Sequence, residues 1–268
     1  MSEQASDRAG TAERSELLEA VGLSKRFGGI TALEDVSLSV GAGEAVGLVG
    51  PNGAGKTTVF NCLLGTLRPD TGRIRFDGRA LTGLPVHRRA RLGLGRTFQR
   101  MELFSGMTVR EHLEVAERAR RGTGSLWKDL LNRGAPTAEE EAEVDTVLDL
   151  VGLAPVADRA IESLTLGHGR LVELGRALMT GPKLLLLDEP SSGLDQAESL
   201  ALAGVLDTVR RERGTAVLLV EHDLAMVERV AERLYVLDFG RLLASGERDE
   251  VLGDPAVRHA YLGDAVGT

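Results

Sequence analysis

A single cysteine, Cys62, is all the chain carries, so no disulfide can close within it, which suits a reducing compartment. Clusters of Cys and His at metal-ligand spacing are absent. No run approaches the ~18–20 consecutive apolar residues that a membrane span needs. The first residues are polar and hold no apolar signal core, which argues against secretion and reads as a disordered tail over residues 1–16. Basic residues are outnumbered, 32 Lys and Arg against 40 Asp and Glu, and the net charge of −8 argues against nucleic acid as a partner. Aromatics supply only 3% of the chain, so an aromatic at a telling position weighs more. What remains, 43% hydrophobic and 27% charged over 268 residues, is a globular composition.

Glycine, by contrast, is plentiful, and its placement is informative. Gly50-Pro51-Asn52-Gly53-Ala54-Gly55-Lys56-Thr57-Thr58 is a complete phosphate-binding loop. The apolar run Ala45-Val46-Gly47-Leu48-Val49 before it reads as a buried strand, and Val59-Phe60-Asn61-Cys62-Leu63-Leu64 after it as a helix. Strand, loop and helix in that order separate a working loop from a chance glycine-rich turn. Backbone N–H groups in such a loop point at phosphate oxygens, and the helix N-terminus adds partial positive charge. Lys56 then reaches the β- and γ-phosphates, and the Thr57 hydroxyl can sit on Mg²⁺. Cys62, inside that helix, reads as a packed core thiol.

Elsewhere the pattern is that of an α/β protein. Leu18-Glu19-Ala20-Val21 and Val36-Ser37-Leu38-Ser39-Val40 suggest antiparallel strands flanking the phosphate-loop strand, and Arg73-Ile74-Arg75-Phe76 before Asp77-Gly78 another strand and turn. Over residues 85–179 the pattern is helical. Val109, Leu113 and Ala116 recur at helical spacing behind Thr108, a candidate cap, and Thr137 opens an acidic helix start. Residues 122–136, with Trp127, interrupt this region. After Lys183, strand and helix alternate, which implies a parallel sheet with crossover helices. One nucleotide core with a helical insertion follows, a single domain over residues 17–268.

Lys183-Leu184-Leu185-Leu186-Leu187-Asp188-Glu189 reads as a strand buried on both faces and ending in two acids. Asp188 falls where α/β sheets place ligand groups and can hold Mg²⁺ through water; Glu189 is free to polarise an attacking water. Here the chain resembles the ATP-binding subunit of ABC (ATP-binding cassette) transporters, with motifs in the expected order over residues 17–263, which implies a P-loop core of that type with an antiparallel β subdomain and an inserted helical subdomain. The resemblance implies that Phe27 stacks on adenine and that Gln99, in Arg96-Thr97-Phe98-Gln99, contacts Mg²⁺. It makes Leu164-Thr165-Leu166-Gly167-His168 the signature segment, whose Thr165 and Gly167 would bind the nucleotide of a partner subunit. Asp195, in Ser192-Gly193-Leu194-Asp195, would lie at the dimer interface, and His222 would contact the γ-phosphate. Leu166 and His168 depart from the usual LSGGQ pattern, which leaves the mode of binding in place and bears on affinity and rate.

A narrower resemblance joins residues 96–109 and 254–263, the single-glycine signature and the stretch around Trp127 to the longer ATPase subunit of branched-chain amino acid importers, marks that related urea and amide importers share. It implies the following expectations: ATP and Mg²⁺ as cofactors; a second ABC ATPase subunit, identical or not; transmembrane permease subunits; indirectly, an extracytoplasmic solute-binding protein; and a peripheral place on the cytoplasmic face of the membrane. Two alternatives stay open at this point: a soluble ABC ATPase of translation or DNA repair, and the ATPase subunit of an exporter.

Overall fold

The computed structural model describes residues 16–97, 103–121 and 137–262. Two sheets form its frame. The first is four-stranded and antiparallel, in the order β2 (Ile30–Gly41), β1 (Glu16–Phe27), β4 (Thr71–Phe76) and β5 (Arg79–Ala80). The second is six-stranded, in the order β10 (Arg241–Glu247), β9 (Arg233–Asp238), β3 (Ala45–Val49), β8 (Ala216–Val220), β7 (Leu184–Asp188) and β6 (Leu94–Arg96). Its strands from β6 to β9 run parallel, and β10 returns antiparallel on β9.

The first sheet is the antiparallel β subdomain expected beside the phosphate-loop core. In the large sheet β3 lies between β8 and β9. A long hairpin builds the antiparallel sheet, since β1 and β2 each extend over twelve residues and satisfy one another's backbone groups. Leu94–Arg96, within the stretch expected to be helical, is a strand paired to β7. Three residues with a glycine at the centre are too short to show a period.

The helices, in chain order, are α1 (Lys56–Leu64), α2 (Val86–Arg91), α3 (Val109–Arg121), α4 (Ala138–Leu150), α5 (Leu166–Leu178), α6 (Gln196–Arg213), α7 (Leu224–Val230), α8 (Arg248–Gly253) and α9 (Pro255–Leu262). Their starts follow local chemistry. Thr108 caps α3 by accepting from the Glu111 N–H at 3.2 Å, while Glu111 accepts from the Thr108 N–H at 2.7 Å. Thr137 and Glu140 close the same reciprocal box on α4, and Asp195 and Glu198 on α6. Among the described residues no helix is long and apolar enough to cross a membrane.

Strand β7 shows how the layers are held. Leu184 and Leu186 enter the core between the two sheets with Phe60, Leu63 and Phe76, while Leu185 and Leu187 enter the core beneath α3, α5 and α6 with Leu113, Val172 and Leu206. Strand β8 alternates likewise, Leu218 to one side and Leu219 to the other. Burial of both faces is what a four-leucine run requires.

The phosphate-loop helix is anchored at its far end by Arg89. This buried guanidinium donates to the carbonyls of Cys62 (2.8 Å), Leu63 (2.6 Å), Leu81 (2.9 Å) and Leu84 (3.0 Å). Two of these acceptors close the last turn of α1, whose carbonyls have no intrahelical partner. Arg89→Met fills much of the volume and leaves those acceptors buried without a donor. It is expected to cost about 3 kcal/mol, read as a lower urea midpoint at unchanged slope.

Candidate active site

The parallel strands β3, β8 and β7 end side by side, and the chemically active residues leave from those ends. From β3 the chain passes through Gly50, whose φ is 145° and where a Cβ would lie 2.1 Å from the Leu237 carbonyl oxygen. At Gly55 (φ 104°) it turns into α1, and a Cβ there would lie 2.7 Å from the Ala32 carbonyl oxygen. Only glycine fits either position. No side chain caps the N-terminus of α1 and its first turn carries no acid, so the N–H groups of Lys56, Thr57 and Thr58 keep their donor capacity. That is a binding place for an anion.

Lys56 is buried within this loop, its ammonium donating to the carbonyls of Gly50 (2.6 Å) and Pro51 (3.0 Å). Burial pulls its pKa below the ordinary lysine value, while the charges of Glu189 and Asp188 push the other way. Pro51 and Thr58 are half-buried, and Asn52, Gly53 and Thr57 face solvent. The Ala54 carbonyl accepts from the N–H of Gly240, which fastens the loop to the turn after β9. That turn exposes Phe239, at φ 43°, a residue with no period or motif to mark it in the sequence. Phe27 ends β1 opposite Ile30, half exposed, with the Lys25 ammonium 5.6 Å from its ring centroid.

Asp188 ends β7 and is buried. Burial raises its pKa, with Glu189 and Glu221 adding to the rise, and Arg96 and Lys56 opposing it. The next residue, Glu189, adopts φ 48°, a left-handed conformation that a non-glycine residue takes only when its surroundings hold it. Its N–H donates to the Val220 carbonyl at the end of β8 (2.9 Å), and its own carbonyl accepts from Ser192 (3.1 Å). From β8 come Glu221, fully buried, and His222, exposed; His222 Nδ1 lies 3.9 Å from Glu189 Oε1 and 3.8 Å from Glu221 Oε2. Lys56, Asp188, Glu189 and His222 thus converge on one spot.

Thr165, Gly167 and Asp195 form a second group, on α5 and α6. Thr165 caps α5, accepting from the His168 N–H at 3.3 Å, and its hydroxyl oxygen lies 3.0 Å from His168 Nδ1. A Cβ at Gly167 would come within 2.7 Å of Glu198 Oε1, and one at Gly193 within 3.0 Å of Leu166 Cδ2. Asp195 accepts from the Glu198 N–H at 2.8 Å. Gln99, Phe98, Met101, Trp127 and residues 1–15 and 122–136 lie outside the described residues. Among the described residues no cluster of three or more His, Cys, Asp or Glu side chains forms a ready metal cage. A bound cation would therefore draw on a hydroxyl, one or two carboxylates and phosphate oxygens, a donor set that suits Mg²⁺. Cys62 is buried and its thiol is pushed up to about 11, so it is inert as a nucleophile.

Two residues of the site carried no motif signal, Glu221 and Ser191. The trace that could have exposed Glu221 is its position, an acid directly after the wholly apolar β8, where a charge cannot be buried without partners.

A family model described as ABC transporter matches residues 33–192. The chain belongs to the ABC transporter family. Full-length relatives agree with it. The high-affinity branched-chain amino acid transport ATP-binding protein LivG of Salmonella typhimurium is 42% identical over 252 residues, covering 93% of this chain and 98% of that protein. BraF of Pseudomonas aeruginosa, with the same description, is 40% identical over 251 residues, again 93% and 98%. The lipopolysaccharide export system ATP-binding protein LptB of Acidithiobacillus ferridurans is 38% identical over 93% of this chain and 98% of its own. Among solved structures, the ADP conformation of the ABC transporter cassette MJ1267 superposes with a TM-score of 0.79 at 33% identity, covering 92% of this chain and 99% of that one. A nucleotide-free cassette superposes at 0.77 and 31% identity, covering 92% and 98%. This ABC chain binds nucleotide and hydrolyses ATP.

The buried acid gives a test with a definite sign. Because the folded-state pKa of Asp188 is raised, its contribution to stability is fully present below the ordinary aspartate range and is lost as pH rises through the folded value. Asp188→Asn removes that loss. In the nucleotide-free protein it is expected to raise the melting midpoint by a few degrees at neutral pH, and the gain should vanish as pH falls into the acid range. Melting curves across pH check this, and a lower midpoint at neutral pH would mean that pairing with Lys56 and Arg96 outweighs burial.

Proposed function

We propose that this chain is the ATP-hydrolysing subunit of a membrane importer for branched-chain amino acids or related small solutes. It would work on the cytoplasmic face of the membrane with separate permease subunits and a second ABC ATPase subunit, and be served indirectly by an extracytoplasmic solute-binding protein. The observation that carries the hydrolytic reading is the convergence of Lys56, Asp188, Glu189 and His222 at the ends of adjacent parallel strands. The importer reading is supported by the identity of 40–42%, end to end, with LivG and BraF.

In this reading the loop N–H groups of residues 50–58 and the Lys56 ammonium cradle the β- and γ-phosphates, and Phe27 stacks on the adenine. Thr57, Asp188 and Gln99 would hold Mg²⁺, which neutralises phosphate charge when bound. Glu189, half-buried beside the phosphate site, orients and deprotonates the attacking water, and His222 holds the γ-phosphate in register with it. Thr165, Gly167 and Asp195 stand at the starts of α5 and α6, and the scheme needs a second cassette to bring such a half-site to the phosphates. ATP then closes the pair, and loss of the γ-phosphate opens it. LptB at 38% identity supports a second reading, an exporter subunit using the same cassette.

Glu189→Gln separates these questions. It is expected to lower ATP turnover by a factor on the order of 10²–10⁴ while a two-cassette complex accumulates with ATP, seen by size-exclusion chromatography. Unchanged steady-state hydrolysis would remove Glu189 from the role. Tagged, solubilised from membranes with ATP present and identified by mass spectrometry, the same variant should carry two importer-type permeases and a second ATPase. Recovery of lipopolysaccharide-export membrane subunits would favour the exporter, and ribosomes or nucleic acid alone would overturn both.

A further inference from the structure

We propose that Glu221 is a positioning residue that sets the distance between Glu189 and His222 by tying their two loops to one buried side chain; this rests on the reading of Glu189 as base and His222 as phosphate contact.

The geometry is specific. Glu221 follows the last residue of β8 and is wholly buried. Its Oε1 accepts from the Ser191 N–H at 2.9 Å and from the Ser191 hydroxyl at 2.6 Å. Its Oε2 accepts from the N–H of His222 at 3.1 Å and of Asp223 at 3.4 Å. One oxygen therefore serves the loop that leaves β7 and the other serves the loop that leaves β8. Glu189 lies two residues before Ser191, and its carbonyl accepts from Ser192, so the turn carrying the base is pinned on both sides of its left-handed residue. His222 is pinned by its own N–H.

A purely structural account would need only that a buried acid find acceptable partners, and any donors would do. Yet the donors from Ser191 on one side and from His222 and Asp223 on the other divide between the two catalytic loops, and the Glu189–His222 separation of 3.9 Å lies across that division. A gap of that size closes or opens with small loop shifts, and displacement by about 1 Å can cost on the order of 10²-fold in rate. Glutamate supplies two equivalent acceptors at the right reach. An amide supplies one acceptor and one donor, so whichever way it turns, one loop meets an N–H where it needs an oxygen.

The test is therefore Glu221→Gln, made in the full-length chain and compared with Ser191→Ala and Ser191→Thr. Steady-state ATPase kinetics are measured together with the affinity and stoichiometry of a fluorescent ATP analogue. Glu221→Gln is expected to lower kcat by about 10–100-fold with KM and analogue affinity within about threefold and the number of binding sites per chain unchanged. Ser191→Ala removes the hydroxyl donor and should lower kcat by several-fold, and Ser191→Thr, which keeps the hydroxyl, should recover most of it. A Glu221→Gln kcat within about twofold of wild type, or a fall matched by an equal loss of binding sites, overturns the proposal. Glu189→Gln, assayed alongside, separates the two levels of failure. If it is inactive while Glu221→Gln is fully active, only the positioning role falls; if it hydrolyses ATP normally, the base assignment falls and takes the positioning role with it.

Discussion

The parallel register of three strands is the constraint on which the rest of this structure depends. Leu48 of β3, Val220 of β8 and Asp188 of β7 stand side by side. One residue beyond Val220 comes Glu221, one beyond Asp188 comes Glu189, and two beyond Leu48 comes Gly50, where the phosphate loop opens. A slip of one residue in β7 would exchange its two faces and send Leu185 and Leu187 into the wrong core. It would also draw Asp188 away from Lys56. The same leucines that hold the sheet together thus hold the chemistry in line, and the site inherits its accuracy from packing on both sides.

That accuracy carries an electrostatic cost. An ammonium and two carboxyl groups, Lys56, Asp188 and Glu221, are buried close together, and burial moves Lys56 down and Asp188 up from their ordinary values. Mutual attraction offsets part of the desolvation without cancelling it. Glu189 adds a left-handed backbone, sustained by hydrogen bonds to Val220 and from Ser192. Proteins concentrate such unfavourable features where a ligand will use them, here a polyphosphate whose charge answers the lysine and the helix terminus.

Much of this was legible before the structure, and the reasons are local. The phosphate loop announces itself because Gly50 and Gly55 are required by backbone geometry, and β7 because two-sided burial demands an unbroken apolar run. The helix starts at Thr108 and Thr137 are written in a few adjacent residues. What could not be read depends on contacts distant in sequence. Nothing local says that β9 comes to lie on β3, or that Leu94–Arg96 completes the far edge. Glu221 belongs to this second kind, since its meaning comes from Ser191, thirty residues earlier. The family resemblance supplied roles for Phe27, Thr165, Gly167 and His222 that their own neighbourhoods do not spell out.

The two half-sites of the chain are also contiguous with each other inside one subunit. Leu166 and Gly167 pack on the positions of Gly193 and Glu198, and Arg170, one turn along α5, donates to the Ser192 carbonyl at 3.3 Å. Ser192 in turn donates to the Glu189 carbonyl at 3.1 Å. On the proposed reading, the signature segment meets the phosphate of the neighbouring cassette while the residues it rests on hold the base for its own. Leu166 fills the space over Gly193 that a glycine would leave open. The departure from the usual signature therefore changes the packing under the segment, while the capped N-terminus of α5, which on the proposed reading would face the partner's phosphate, is preserved.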